Sequence, residues 1–153
     1  MNNQKQINNT RGSFLVGVLV ALGIMLVMSL IAFPYLKRYQ PNLKLSGVVR
    51  DLSGNLRYAQ QLTITEQVIY GVEIDAINDE YHILKFDAAT STVKTVVLPG
   101  EVEFSSVLGF SNNTIRFNSY GAVSESGEIK LTNSNNLIKL INVKPSGFIE
   151  IVD

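Results

Sequence analysis

Residues 11–38 read RGSFLVGVLVALGIMLVMSLIAFPYLKR, and no charged side chain lies between Arg11 and Lys37. The apolar run from Phe14 to Leu36 is 23 residues long. At about 1.5 Å rise per residue it makes roughly 35 Å of helix, enough to cross a hydrocarbon core of about 30 Å. A cleaved secretory signal has a shorter apolar region, about 7–15 residues, ending in a small-x-small site. Leu30-Ile31-Ala32, the nearest candidate for such a site, matches poorly. The segment therefore reads as a membrane-spanning helix. Lys5 and Arg11 precede it and Lys37, Arg38 and Lys44 follow it, so the excess of cations on the cytoplasmic side leaves its orientation open.

Outward from this segment, the 153-residue chain has room for one further domain. It has no Cys, which excludes disulfides and thiolate metal sites. Net charge is zero but unevenly spread. Residues 37–65 hold five basic side chains against Asp51, net +4, and residues 66–153 hold six basic against twelve acidic, net −6.

From Asn42 to about Thr65, Leu45, Val48, Val49, Leu52, Leu56, Ala59 and Leu62 recur at helical spacing, forming one stripe suited to lying on a sheet. Ser46-Gly47 and Ser53-Gly54 fall close to the opposite face. They read either as a weak exposed surface or as a small-residue face that admits another helix, and Ser53-Gly54-Asn55 as a helix break is a third reading. The remainder reads as strands. Val68, Tyr70, Val72 and Ile74 alternate with Ile69, Gly71 and Glu73, and His82, Leu84 and Phe86 with Tyr81, Ile83 and Lys85. Short runs follow at 92–98, 102–104, 114–117, 127–132, 137–143 and 148–152. Pro99-Gly100, Ser111-Asn112-Asn113, Asn133 to Asn136 and Pro145-Ser146-Gly147 supply turns between them. One long N-terminal helix followed only by strands predicts an α+β fold, the helix packed on an antiparallel β-sheet head.

A short polar leader ending in Arg11-Gly12, an apolar helix beginning at once, and Pro34 about two-thirds along it resemble the class III signal of type IV prepilins and pseudopilins. In the rest of the chain, Leu56-Arg57-Tyr58-Ala59 leads directly into a strand. Ile115-Arg116-Phe117, Gly121, the hairpin at 127–143 and Pro145-Ser146-Gly147 follow in an order similar to the GspH/FimT type of minor pseudopilin. The resemblance implies a leader at 1–12, a transmembrane and filament-core helix at 13–36, an amphipathic stem at 37–65 and a β-rich head at 66–153. It implies cleavage by a prepilin peptidase between Gly12 and Ser13, N-terminal methylation at Ser13, and Pro34 at the family's helix-breaking position. A proline there removes one helix hydrogen bond and bends or locally melts the rod. It also implies a cytoplasmic N-terminus, a head outside the inner membrane, and a structural role in a type II secretion pseudopilus or a type IV or competence pilus. The implied partners are other pilins and pseudopilins, the peptidase, an inner-membrane assembly platform and membrane lipid. The fifth residue after the cut is usually glutamate in that family and here is Gly17. That removes an alignment contact between subunits along a shaft, one a subunit at the tip could dispense with. The first residue after the cut is Ser13 rather than Phe.

The residues argue against an enzyme and call for no cofactor or metal. His82 is the only histidine, and no nucleophile elbow or phosphate-binding loop is present. The acidic stretch Asp75 to Glu80 lacks the alternation and central Gly of an EF-hand loop and reads as a solvated loop. Some members of the family bind DNA through basic residues beside the C-terminal glycine, but here that stretch, Gly147-Phe148-Ile149-Glu150-Ile151, has no arginine. Nucleic-acid affinity leans on Lys and Arg at phosphates, and only Lys130, Lys139 and Lys144 would make a local basic patch, so DNA is not the expected partner. Two rival readings are a pilus-tip binding module for DNA or another ligand, and a stand-alone membrane-anchored β-domain.

Overall fold

A computed structural model describes residues 10–152, without the side chains of Thr10, Arg11 and Arg38. Most of the expected leader, Lys5 included, lies outside the described residues. The chain divides into one unit up to Tyr39 and a second from Gln40 onward.

Helix α1 spans Thr10–Glu66 and includes Pro34, where helical structure is maintained rather than melted. In the first unit it is long and apolar enough to cross a membrane, with an 18-residue stretch of mean hydropathy 2.9, none of it buried.

In the second unit α1 also runs through Ser53-Gly54-Asn55, so the reading of a break there is overturned. Leu52 and Leu56 are fully buried on either side of the glycine. Their burial, worth about 1.5–3 kcal/mol each, exceeds the roughly 1 kcal/mol that a helical glycine costs. Asn55 Nδ2 donates to the Asp51 carbonyl at 3.0 Å and to Tyr81 Oη at 2.7 Å, bonding this turn both to itself and to the sheet.

Eight strands follow: β1 Ile69–Asp75, β2 Glu80–Phe86, β3 Thr90–Val97, β4 Val102–Leu108, β5 Thr114–Phe117, β6 Gly127–Asn133, β7 Ile138–Val143 and β8 Ile149–Val152. They form two four-stranded antiparallel sheets, in the orders β3-β2-β1-β5 and β4-β6-β7-β8. One apolar cluster joins Leu45, Val49, Leu52, Leu56 and Ala59 of α1 to both sheets. The first sheet contributes Val72, Ile83, Ile115 and Phe117, and the second Phe104, Ile129, Leu131 and Ile141. Val48 and Leu62, at the margins of the predicted stripe, pack partly buried against this cluster.

Strands β1, β2, β4 and β6 broadly follow the period-2 rule, burying one face toward the helix, whereas β3 is exposed along almost its whole length. Gly71, on the outward face of β1, lies under the Phe86 ring. A Cβ there would meet the Ile115 carbonyl at 2.5 Å and Phe86 at 3.1 Å. The Arg116 guanidinium stacks on the same ring at 4.4 Å from its centroid.

Candidate functional site

The sequence places its candidate residues on the first half of α1. Ser13 is exposed there, and Cβ atoms built at Gly12 and Gly17 would meet nothing within 4 Å. The apolar side chains from Phe14 to Leu36 are exposed around the whole circumference of the helix. A helix apolar all round suits a lipid or a bundle of helices and no aqueous surface. Its one serine between Phe14 and Leu36, Ser29, donates its hydroxyl to the Met25 carbonyl at 2.8 Å, so this side chain needs no water for its proton.

The second half of α1 is fixed to the head by polar contacts at both ends. Toward its beginning, Lys44 Nζ pairs with Glu101 Oε1 at 2.6 Å and the Asn42 Oδ1 accepts from Asn133 Nδ2 at 2.8 Å. Toward its end, Gln60 Nε2 donates to the carbonyls of Gly121 at 2.6 Å and Gly147 at 3.2 Å. Both glycines have positive φ, +82° and +79°, a region that disfavours any side chain. The Val123 N–H donates to the Pro145 carbonyl at 3.3 Å, so the two glycine turns are joined to each other as well as to the helix. Thr63, fully buried, closes the passage from helix to strand. Its Oγ1 donates to the Ala59 carbonyl and accepts from the Tyr70 N–H, each at 3.0 Å. Gln60 and Thr63 were not singled out from the sequence. The only local signal for Gln60 was indirect: two turn glycines, far apart in the chain, that had to lie against something.

Glu66, the last residue of α1, accepts from Tyr70 Oη at 2.6 Å and from Lys85 Nζ at 2.9 Å. The Tyr70 hydrogen bond, then that from Lys85, holds its carboxyl below the usual range. The same pairing raises Lys85. The Lys44 bond likewise lowers Glu101.

On the outer side of α1 the sequence expectation is half met. Gly47 and Gly54 are exposed, with open space at Cβ, but Ser53 is turned inward and only 3% exposed. Its Oγ has no hydrogen-bond partner among the described residues. The small-residue face is thus made of the two glycines, one helical position on from each serine.

The three lysines considered for DNA are not brought together. Residues directly opposite in an antiparallel pair share a face. Lys139 lies opposite buried Leu131, and Lys130 opposite Leu140, so the two are on different faces of the sheet. Lys130 is 3.9 Å from Glu128, and Lys144 pairs with Glu150 at 2.8 Å. His82 Nδ1 is 2.9 Å from Thr95 Oγ1 and its Nε2 is 3.4 Å from Glu80. In the acidic stretch, Asp75 Oδ1 accepts from the N–H groups of Ile77 and Asn78 at 2.9 and 3.1 Å, which lowers its carboxyl after the larger effect of the Asn78 side chain. Asp79 Oδ1 accepts from the Phe104 N–H at 3.0 Å, linking the two sheets. These carboxylates act as turn caps and ties.

No protein-family model and no curated protein matches the sequence. The fold has solved counterparts. The minor pseudopilin EpsH from the type 2 secretion system of Vibrio cholerae superposes with a TM-score of 0.63 at 12% identity, covering 71% of this chain and 96% of that one. The type IV minor pilin FimU of Pseudomonas aeruginosa superposes with a TM-score of 0.60 at 10% identity, covering 75% of this chain and 92% of that one. At such identities the likeness speaks for the fold. A long N-terminal helix followed by antiparallel sheets, in a chain matched over most of the length of both counterparts, gives this chain a pilin-like fold.

Proposed function

We propose that the chain is a minor structural subunit of a type II secretion pseudopilus or of a type IV or competence pilus. It is processed after Gly12 and assembled through its N-terminal helix. The observation that carries this reading is a helix with a fully exposed apolar circumference at 14–36 joined to a head of pilin-like fold. Such a helix is held first by lipid, with its N-terminus cytoplasmic and its head outside the inner membrane. It is then exchanged into a bundle of neighbouring helices. Each buried apolar side chain is worth about 1.5–3 kcal/mol in either surrounding, so the transfer is close to balanced and an assembly platform can drive it. The partners are other pilins and pseudopilins, the prepilin peptidase and membrane lipid. Ser13 is the N-terminus that would be methylated after the cut.

The test is the N-terminus of the membrane-bound protein in cells with an active prepilin peptidase. Mature chains should begin at Ser13, and substitution of Gly12 should leave the leader attached. An unchanged mature N-terminus in the Gly12 variant would refute the assignment.

A further inference from the structure

Two groups stand out among the cations of the second unit, apart from Arg116, which stacks on Phe86, and Lys139. Lys44, Lys85, Lys130 and Lys144 each have a carboxylate partner, Glu101, Glu66, Glu128 and Glu150. Arg50, Arg57 and Lys94 have none among the described residues. The Arg57 guanidinium donates only to the Ile149 carbonyl, at 3.3 Å, and Lys94 Nζ only to Asn55 Oδ1, at 3.1 Å. The Arg50 side chain makes neither a hydrogen bond nor an ion pair among the described residues. Arg50 shares a hollow with Lys94 and a helix face with Arg57, which does not itself line that hollow. Arg50 and Arg57 are seven residues apart on the exposed side of α1, with Gly54 between them. Arg50, Gly54 and Lys94 line one open hollow of about 420 Å³ between α1 and β3, with Tyr81 and Asn55 also in its wall. Asp51 is the one carboxylate lining the hollow, against Arg50 and Lys94, so the hollow carries net positive charge.

This arrangement runs against the charge of the rest of the head, net −6 over residues 66–153. A surface rich in carboxylates has neutralised its scattered lysines and left a basic patch, two of its three cations arginines, on the helix. Arginine is enriched and lysine depleted at protein interfaces, because a planar guanidinium pairs with a carboxylate through two parallel hydrogen bonds. Gly54 adds access, since open space stands where its side chain would be. We propose that this patch is the docking surface for the acidic head of a neighbouring pilin-like subunit, whose carboxylates pair with Arg50, Arg57 and Lys94. The inference rests on the assembly role proposed above. It adds which surface of the stem is engaged and with what chemistry.

The chain has no cysteine, so one introduced thiol reports one position. Gln61→Cys lies on the exposed side of α1 beyond Arg57, and Ser105→Cys on exposed β4 serves as a reference position. Each is labelled with a benzophenone maleimide in membranes from cells expressing the full chain from its own locus. The labelled membranes are then irradiated, and adducts are identified by mass. Gln61→Cys should give an adduct with a pilin-like subunit. Its yield should fall at least about tenfold in the Arg50→Glu/Arg57→Glu background and between 50 and 500 mM salt. Arg50→Glu alone, which disturbs no contact of the fold, should lower it in the same direction. An undiminished yield in both backgrounds overturns the proposal. So does an adduct with lipid or nucleic acid alone, or no adduct at Gln61→Cys while Ser105→Cys captures a pilin-like neighbour. If neither position captures a pilin-like subunit, the assembly reading itself fails and the proposal with it.

Discussion

Replacing Gly147 by alanine tests whether the two glycine turns are held as tightly as they are drawn. A Cβ at Gly147 would collide with the Gly121 carbonyl oxygen and stand 2.5 Å from Gln60 Nε2. The first of these is backbone, so relief requires one turn to move away from the other. That movement breaks the bridge from Gln60 to both carbonyls, two hydrogen bonds worth about 0.5–1.5 kcal/mol each. The positive φ of +79° adds about 1 kcal/mol for a non-glycine residue. The total is about 2–4 kcal/mol before any loss of packing around Ile149, which follows two residues later and is buried. For a unit of this size, 1 kcal/mol shifts the melting midpoint by roughly 3–5 °C, so the midpoint should drop by about 6–20 °C. The assay is thermal unfolding of the full chain in detergent, followed by circular dichroism in the β region so that the apolar helix does not dominate the signal. Gln60→Ala is the internal reference. It removes the two hydrogen bonds without a collision and should cost about 1–3 kcal/mol. A Gly147→Ala midpoint within about 2 °C of the parent, or above that of Gln60→Ala, would refute the reasoning.

Other expectations follow from single features. Ser53→Ala removes a buried hydroxyl that lacks a partner and places a better helix former in α1, so the midpoint should rise, by about 0.5–2 kcal/mol in stability; a fall would show that the hydroxyl is satisfied in solution. Glu66, Asp75, Glu101 and Glu125 all have lowered carboxyl pKa values, each chiefly through a side-chain hydrogen bond, which for Glu125 comes from the Ser111 hydroxyl at 2.6 Å. With folded values below unfolded ones, their stabilisation is present above the ordinary carboxylate range near 4 and is lost as pH falls through the folded values. Melting midpoints should therefore decline below about pH 4.5, and Glu101→Gln should flatten that decline; a flat midpoint down to pH 3 would contradict the assigned bonds. Gly17→Glu should leave cleavage after Gly12 intact, as measured by mass of the mature chain, because the side chain has open space around it; blocked cleavage would mean that the register of the signal is misassigned.

Local periodicity carried much of the architecture. Leu45, Val49, Leu52, Leu56 and Ala59 of the stripe are among the side chains α1 buries, and Thr114–Phe117 is a strand with the bounds read from the sequence. Turn residues mark the strand ends at Pro99-Gly100 and Pro145-Ser146-Gly147 because their backbone preferences are intrinsic. The proposed processing residues Gly12 and Ser13 are equally a matter of sequence, since a leader and its cut are read along one chain. Ser53 and Gly54 show the limit. Helical spacing put both near the outer face, but one position is 100° of rotation, and packing turned the serine in and the glycine out.

By itself, then, the sequence determined the apolar helix, the stripe of the stem and the succession of strands and turns, since each depends on neighbours within a few residues. Which strands share a sheet was decided only in three dimensions. The split into β3-β2-β1-β5 and β4-β6-β7-β8 requires β5 to leave β4 and pair with β1, some forty residues earlier in the chain. Edge hydrogen bonds are alike for every strand, so partner choice follows from how both sheets cover one helix. The same pairing set Lys130 and Lys139 on opposite faces, brought Gly121 and Gly147 under Gln60, and placed Lys94 of β3 across a hollow from Arg50 of α1. None of these juxtapositions has a periodicity to announce it, because each joins residues whose spacing along the chain is set by the fold.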